Sequence, residues 1–119
     1  PAGCLYCPQP FLDKNPNTAQ AITNAMVRAS KWIQQAGPGD IIRLVPEAYL
    51  LGDRAVYIDG FLAAQKALSP DGRFPLKGPD TAFRALASVD AKLGAAKLDL
   101  NAVYTNNFVQ KANAKYPKG

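Results

Sequence analysis

The sequence predicts a mainly α protein, with five or six helices and one or two short strands, in a single unit over residues 1–119. Three observations carry that prediction. Ile22, Met26, Ala29, Ile33 and Ala36 follow 4-3-4-3 spacing, which puts them on one helix face. Pro, Gly and Asp fall at the ends of the apolar stretches and cut the chain into helix-length pieces. At 119 residues one domain is the default, and 48% hydrophobic residues suit a globular chain rather than a disordered one.

The elements follow in order. Ala2 to Tyr6 is a short apolar stretch, long enough for one strand, with Pro8 and Pro10 stopping it. Phe11 to Lys14 suits a single helical turn. Asn15 is a good N-cap and Pro16 fits the first helical position of a long helix that Gly37 and Pro38 end. Its apolar stripe should dock on a core, with Trp32 at the edge. Pro38 to Val45 reads as a short helix, with Ile41, Ile42, Leu44 and Val45 too apolar to face water.

Glu47 to Leu51 is a brief turn or helix closed by Gly52. Asp53 caps the next helix, Arg54 to Leu68, with Tyr57, Ile58, Phe61, Leu62, Ala64 and Leu68 as its apolar set. Gly60 weakens that helix by ~1 kcal/mol relative to Ala, so close packing is expected there. Ser69-Pro70-Asp71-Gly72 is a turn, since Pro presets φ and Gly accepts positive φ. Pro79 opens a helix with Phe83, Leu86 and Val89 as its buried face, closed by Leu93-Gly94. A last helix starts at Asn101 or Asn106 and runs to Lys115, burying Val103, Phe108, Val109 and Ala112. Pro117 to Gly119 is a frayed end.

Composition excludes several classes of function. The chain has no histidine, so it holds no Ser-His-Asp triad, no Cys-His pair and no HExxH zinc helix. Zinc would need Cys4, Cys7 and carboxylates, an uncommon set, so no metal or cofactor is expected. No apolar run approaches the ~18–20 residues that span a bilayer. Lys and Arg number 14 against 9 Asp and Glu, a net charge of +5. The cations are spread singly apart from Lys111, Lys115 and Lys118, and no aromatics interleave with them as a stacking platform needs, so nucleic acid is not an expected partner.

Cys4-Leu5-Tyr6-Cys7 is the one motif with a catalytic look. A C-x-x-C pair becomes a redox site when it caps a helix, whose N-terminus stabilises a thiolate. In an extended stretch the two cysteines lie ~10 Å apart on opposite faces, beyond disulfide reach; if Cys7 instead starts a turn, a bridge becomes possible. They read instead as two small buried hydrophobes. Asp71, Asp80, Asp90 and Asp99 each sit beside Gly, Pro or a helix boundary, where a carboxylate caps or turns the backbone. Tyr57, Phe61, Phe83, Tyr104 and Phe108 read as core. No catalytic residue emerges, and the chain is not expected to be an enzyme.

The order of segments carries more than any one of them. Pro1-Ala2-Gly3-Cys4-Leu5-Tyr6 leads to Phe11-Leu12-Asp13-Lys14-Asn15-Pro16, then Ala21 to Ala29, then Lys31-Trp32-Ile33. Leu44-Val45-Pro46 precedes Glu47-Ala48-Tyr49, Gly52-Asp53-Arg54-Ala55 opens a helix, and Ser69 to Gly72 precedes Gly78-Pro79. Lys97 to Leu100 and Tyr104 to Val109 close the pattern. This series resembles the C-terminal part of periplasmic substrate-binding proteins of ABC transporters, in the nitrate/sulfonate/taurine group that includes thiamine-pyrimidine relatives.

The resemblance implies a two-lobed α/β parent that closes over a small, anionic or sulfonated solute and delivers it to a membrane permease. A full member has about 300 residues, roughly two domains. This chain, which opens on Pro1 rather than Met, would be the C-terminal helical portion of the first lobe. Most ligand contacts would come from earlier segments. Gly3, Cys4 and Tyr6 would lie near the hinge and cleft. A periplasmic location follows from the same resemblance. Helices evolved to cover a sheet would expose an apolar patch when alone, so self-association is expected. Two other readings stand beside this one: an autonomous basic helical interaction domain, and a small thiol-redox protein built on Cys4 and Cys7.

Overall fold

A computed structural model describes residues 3–50 and 52–117. The protein is mainly α, as its periodicity predicts. Seven α-helices and one 3₁₀ turn lie among the described residues: α1 (Gln9–Lys14), α2 (Pro16–Gln35), α3 (Pro38–Leu44), the 3₁₀ turn (Glu47–Tyr49), α4 (Arg54–Gln65), α5 (Gly78–Ala87), α6 (Ala91–Ala95) and α7 (Asn107–Lys115).

No strand lies among the described residues. The strand expected over Ala2 to Tyr6 begins outside them, and residues 3–7 form no regular element. A strand needs a second strand to pair with, and the described chain offers none. Pro10 does not stop a strand but sits in the first turn of α1, where its missing N–H costs nothing.

Proline opens α2 and α3 as well, and α5 carries Pro79 in its first turn. The Asp53 carboxylate accepts the N–H groups of Ala55 and Val56 at 2.9 and 3.1 Å and caps α4. Asp90 does the same for α6, at 2.8 Å from the Lys92 N–H and 3.3 Å from that of Leu93. That cap splits what reads in sequence as one helix from Pro79 to Leu93. Gly94 then lets α6 fold back on α5, since a Cβ there would meet the Ala87 carbonyl at 3.2 Å.

The core is small. Val27 of α2 packs with Val109 and Ala112 of α7. Polar ties hold the same pair of helices. The Gln20 amide donates to the Phe108 carbonyl at 2.9 Å, and Lys31 Nζ donates to the carbonyls of Tyr116 and Pro117. Arg28 lies over the Tyr116 ring, 5.2 Å from its centroid. At the other end of α2, Gln65 donates to the carbonyls of Ile33 and Ala36 and anchors α4.

Several apolar faces end up elsewhere than periodicity predicts. On α2 the buried positions are Ala19 and Val27, while Ile22, Met26 and Ala29 are exposed. The α7 contact turns the helix by about one residue, or ~100°, from its most apolar stripe. On α3, Ile41 is buried but Ile42 and Leu44 face outward. Leu86 and Val89 are exposed, and Val103 lies outside α7. A Cβ at Gly60 would have no neighbour within 4 Å, so no close packing selects glycine there.

These open faces leave the molecule extended. The accessible area is 8943 Å², against about 6,200 Å² for a compact monomer of this mass. The radius of gyration is 17.3 Å, against about 13.5 Å for a compact domain of this length.

Candidate functional site

The turn at Ser69–Gly72 builds one wall of the site. Gly72 takes φ +76°, in the left-handed region that glycine allows. The Ser69 hydroxyl accepts the Gly72 N–H at 2.9 Å, and the Asp71 carboxylate accepts the Arg73 N–H at 3.0 Å. The turn is clipped to α7. The Asn113 amide donates to the Asp71 carbonyl at 2.9 Å. The Asn106 side chain accepts the Phe74 N–H at 3.0 Å and donates to the Phe74 carbonyl at 3.2 Å. These two bonds fix the backbone of Phe74, whose ring lies 5.2 Å from that of Tyr104, centroid to centroid.

Between this turn, the exposed side of α2, the segment 102–109 and the segment 3–7 lies a concavity of about 500 Å³. Gly3, Cys4 and Tyr6, the hinge and cleft candidates, all line it. They lie on one short segment, residues 3–7, and all three are exposed. Met26, Leu68 and Val103 add apolar surface, and Thr23, Ser30 and Thr105 add hydroxyls. Arg73 is the one charged residue of the described lining, and its guanidinium lies 3.4 Å from the Asp71 carboxylate. Its charge is therefore already partnered. Sequence reasoning missed Arg73, Phe74 and Thr105. The Ser69–Gly72 turn was the available signal for the first two, since it fixes where the following residues point.

Cys4 and Cys7 are both free and exposed, not buried hydrophobes. The N-cap of α1 is Pro8, so neither cysteine caps a helix. The four carboxylates of the second half have backbone or ion-pair partners: Asp71 in the turn, Asp80 3.9 Å from Arg84, Asp90 at the cap, and Asp99 accepting the Asn101 N–H at 3.0 Å. They read as structural, as their positions predict. Among the described residues no three of Cys, Asp and Glu gather as a metal-binding group.

The expected aromatic core is not there. Tyr57, Phe61, Phe83, Tyr104 and Phe108 are half-buried. Tyr57 and Phe61 line a second concavity of about 450 Å³ along α4, with Leu50 and Val56. Tyr104 and Phe108 line the first. No described helix is long and apolar enough to cross a membrane.

No known family model and no curated protein matches the chain. It is similar to a protein of solved structure from Bordetella bronchiseptica RB50, with 54% identity and a TM-score of 0.91 over 97% of this chain. The chain spans 36% of that protein's length. Since 97% of 119 residues makes 36% of it, that protein is about 320 residues long.

Proposed function

We propose that this chain is the helical portion of one lobe of a two-lobed α/β solute-binding protein, serving an ABC importer in the periplasm. The whole protein captures a small anionic or sulfonated solute between its lobes and hands it to a permease. No bond is made or broken, and no cofactor takes part.

The observation that supports this reading is the length relation. The series of segments resembles the last third of proteins of about 300 residues, two ordinary domains. The similar Bordetella protein is about 320 residues long and this chain answers to 36% of it. The exposed area, well above that of a compact monomer, fits a lobe fragment better than an autonomous interaction domain.

The same reading explains why the concavity offers no free charge to an anion. The ligand contacts belong to segments outside this chain, and Gly3, Cys4 and Tyr6 belong to the hinge that carries the chain past the cleft.

The test starts upstream of Pro1. The reading frame should continue for about 200 codons, which is one further domain or more, and should open with a signal peptide. Calorimetry on that longer product should show binding of alkanesulfonates or a similar small anion. The 119-residue chain by itself should bind none of them. A start codon at or just before Pro1 overturns the reading, as does solute binding by the isolated chain.

A further inference from the structure

The chain holds three sulfur-bearing residues, Cys4, Cys7 and Met26. All three line the concavity of about 500 Å³, although Met26 lies on α2 and the cysteines on the segment before α1. Thr23 and Ser30 line it with Met26. They stand three residues before it and four after, so one face of α2 is turned to the concavity. Packing accounts for none of the three sulfurs. Both thiols are free and exposed, and Met26 is 54% exposed, whereas methionine and free cysteine ordinarily fill cores.

The rest of the lining decides which ligand these sulfurs suit. The described lining holds no carboxylate, and the chain has no histidine. Calcium and magnesium take oxygen ligands, with carboxylates among them. Structural zinc takes four ligands from Cys, His and carboxylate, and the lining offers the two cysteines alone. Two thiolates and a thioether make a soft set, and soft sulfur ligands select copper(I), a d10 ion that two or three sulfurs satisfy. Two cysteines separated by two residues are a common ligand pair for one ion. An extended segment would hold them ~10 Å apart, so the ion requires a turn between Cys4 and Cys7. Residues 3–7 form no regular element, and none of their backbone groups is hydrogen-bonded among the described residues. No existing bond has to break for that turn to form.

We infer that Cys4, Cys7 and Met26 form a copper(I) site in the concavity, with the two thiolates as the tight ligands and the thioether as the third. Binding forms two thiolate–copper bonds and one thioether–copper bond. The two thiol protons go to solvent, and no oxidation state changes. The complex carries one net negative charge, so the Arg73 guanidinium on the same lining does not oppose it as it would oppose a free cation. The site needs neither a second lobe nor a solute, and it stands or falls apart from the solute-binding reading.

The experiment is an anaerobic titration of the chain with copper(I), using bicinchoninate as the competing chelator. One ion per chain should be held against it. Cys4→Ser and Cys7→Ser should each weaken binding by about a hundredfold or more, and Met26→Leu, close in volume, by about tenfold. Two protons leave per ion, so apparent affinity should rise by about a hundredfold per pH unit where free thiols are protonated. The chain has one methionine, so its Cε methyl gives a single resonance. That resonance should shift with one equivalent of copper(I), which reads the thioether without any substitution. A chain that yields all its copper to the chelator overturns the inference. So does wild-type affinity in Met26→Leu, and so does an unmoved methyl, since the cysteine pair then acts without α2. Two chains per ion overturn it as well, because the ligands then come from separate molecules.

Discussion

Gly72 shows how much one residue carries here. Its φ of +76° disfavours any side chain, and a Cβ would meet Val109 Cγ2 at 3.2 Å and Val27 Cγ2 at 3.5 Å. Gly72→Ala should therefore cost about 1–3 kcal/mol, read as a lower urea midpoint. Gly60 is the contrasting case, a helical glycine of α4 with no neighbour within 4 Å. Gly60→Ala should stabilise the same chain by about 0.5–1 kcal/mol, and a drop in midpoint would show that α4 tolerates no methyl there. Asp53 and Asp90 each accept two backbone N–H groups at a helix start. Asp53→Ala or Asp90→Ala should each lose about 1 kcal/mol, with Asn in either place retaining most of it.

Elements were legible where local chemistry decides them. The Pro16 start, the Gly37-Pro38 stop, the Asp53 cap and the Ser69–Gly72 turn all lie in sequence as they lie in space, whereas Asn15 holds the N-cap position without capping, its amide donating to the Phe11 carbonyl. Each depends on residues within a turn of one another. The break at Asp90 was half legible: the residue reads as a cap or turn, yet the apolar pattern from Pro79 to Leu93 reads as one helix. Burial was the harder quantity. Periodicity finds the apolar stripe of α2 but not the neighbour it meets, and α7 takes the adjacent face through Val27. Gly3, Cys4 and Tyr6 were singled out only through a family resemblance, whereas Arg73 and Phe74 owe their places to a contact 32 residues away, between Asn106 and Phe74. That contact predicts a local effect. Asn106→Ala should speed amide exchange at Phe74 by tenfold or more while leaving α2 protected, since the N–H loses its acceptor; unchanged exchange would mean the turn holds itself.

At the scale of the molecule, the extents of 47 × 36 × 24 Å and the open faces of α2 and α5 set the solution behaviour. Contiguous exposed apolar faces promote association. Sedimentation velocity should show weak self-association of the isolated chain that grows with concentration, and Met26→Asp should reduce it. A monodisperse monomer at high concentration would mean that the exposed stripes are too broken to stick.

The Ser69–Gly72 turn also bears on where the chain can be edited. Surface turns ordinarily accept inserted residues at small cost, because closure entropy grows slowly with loop length. This one is a hinge pin rather than a spare length of cord: Asn113 and Asn106 fasten it on either side, and Gly72 sits so near both valines of the core that a Cβ would press on them. A reporter peptide inserted after Pro70 would lift Gly72 away from Val27 and Val109, and α2 and α7 would part. The same peptide placed between Lys97 and Leu98, in exposed connecting chain without such ties, should leave the pair together.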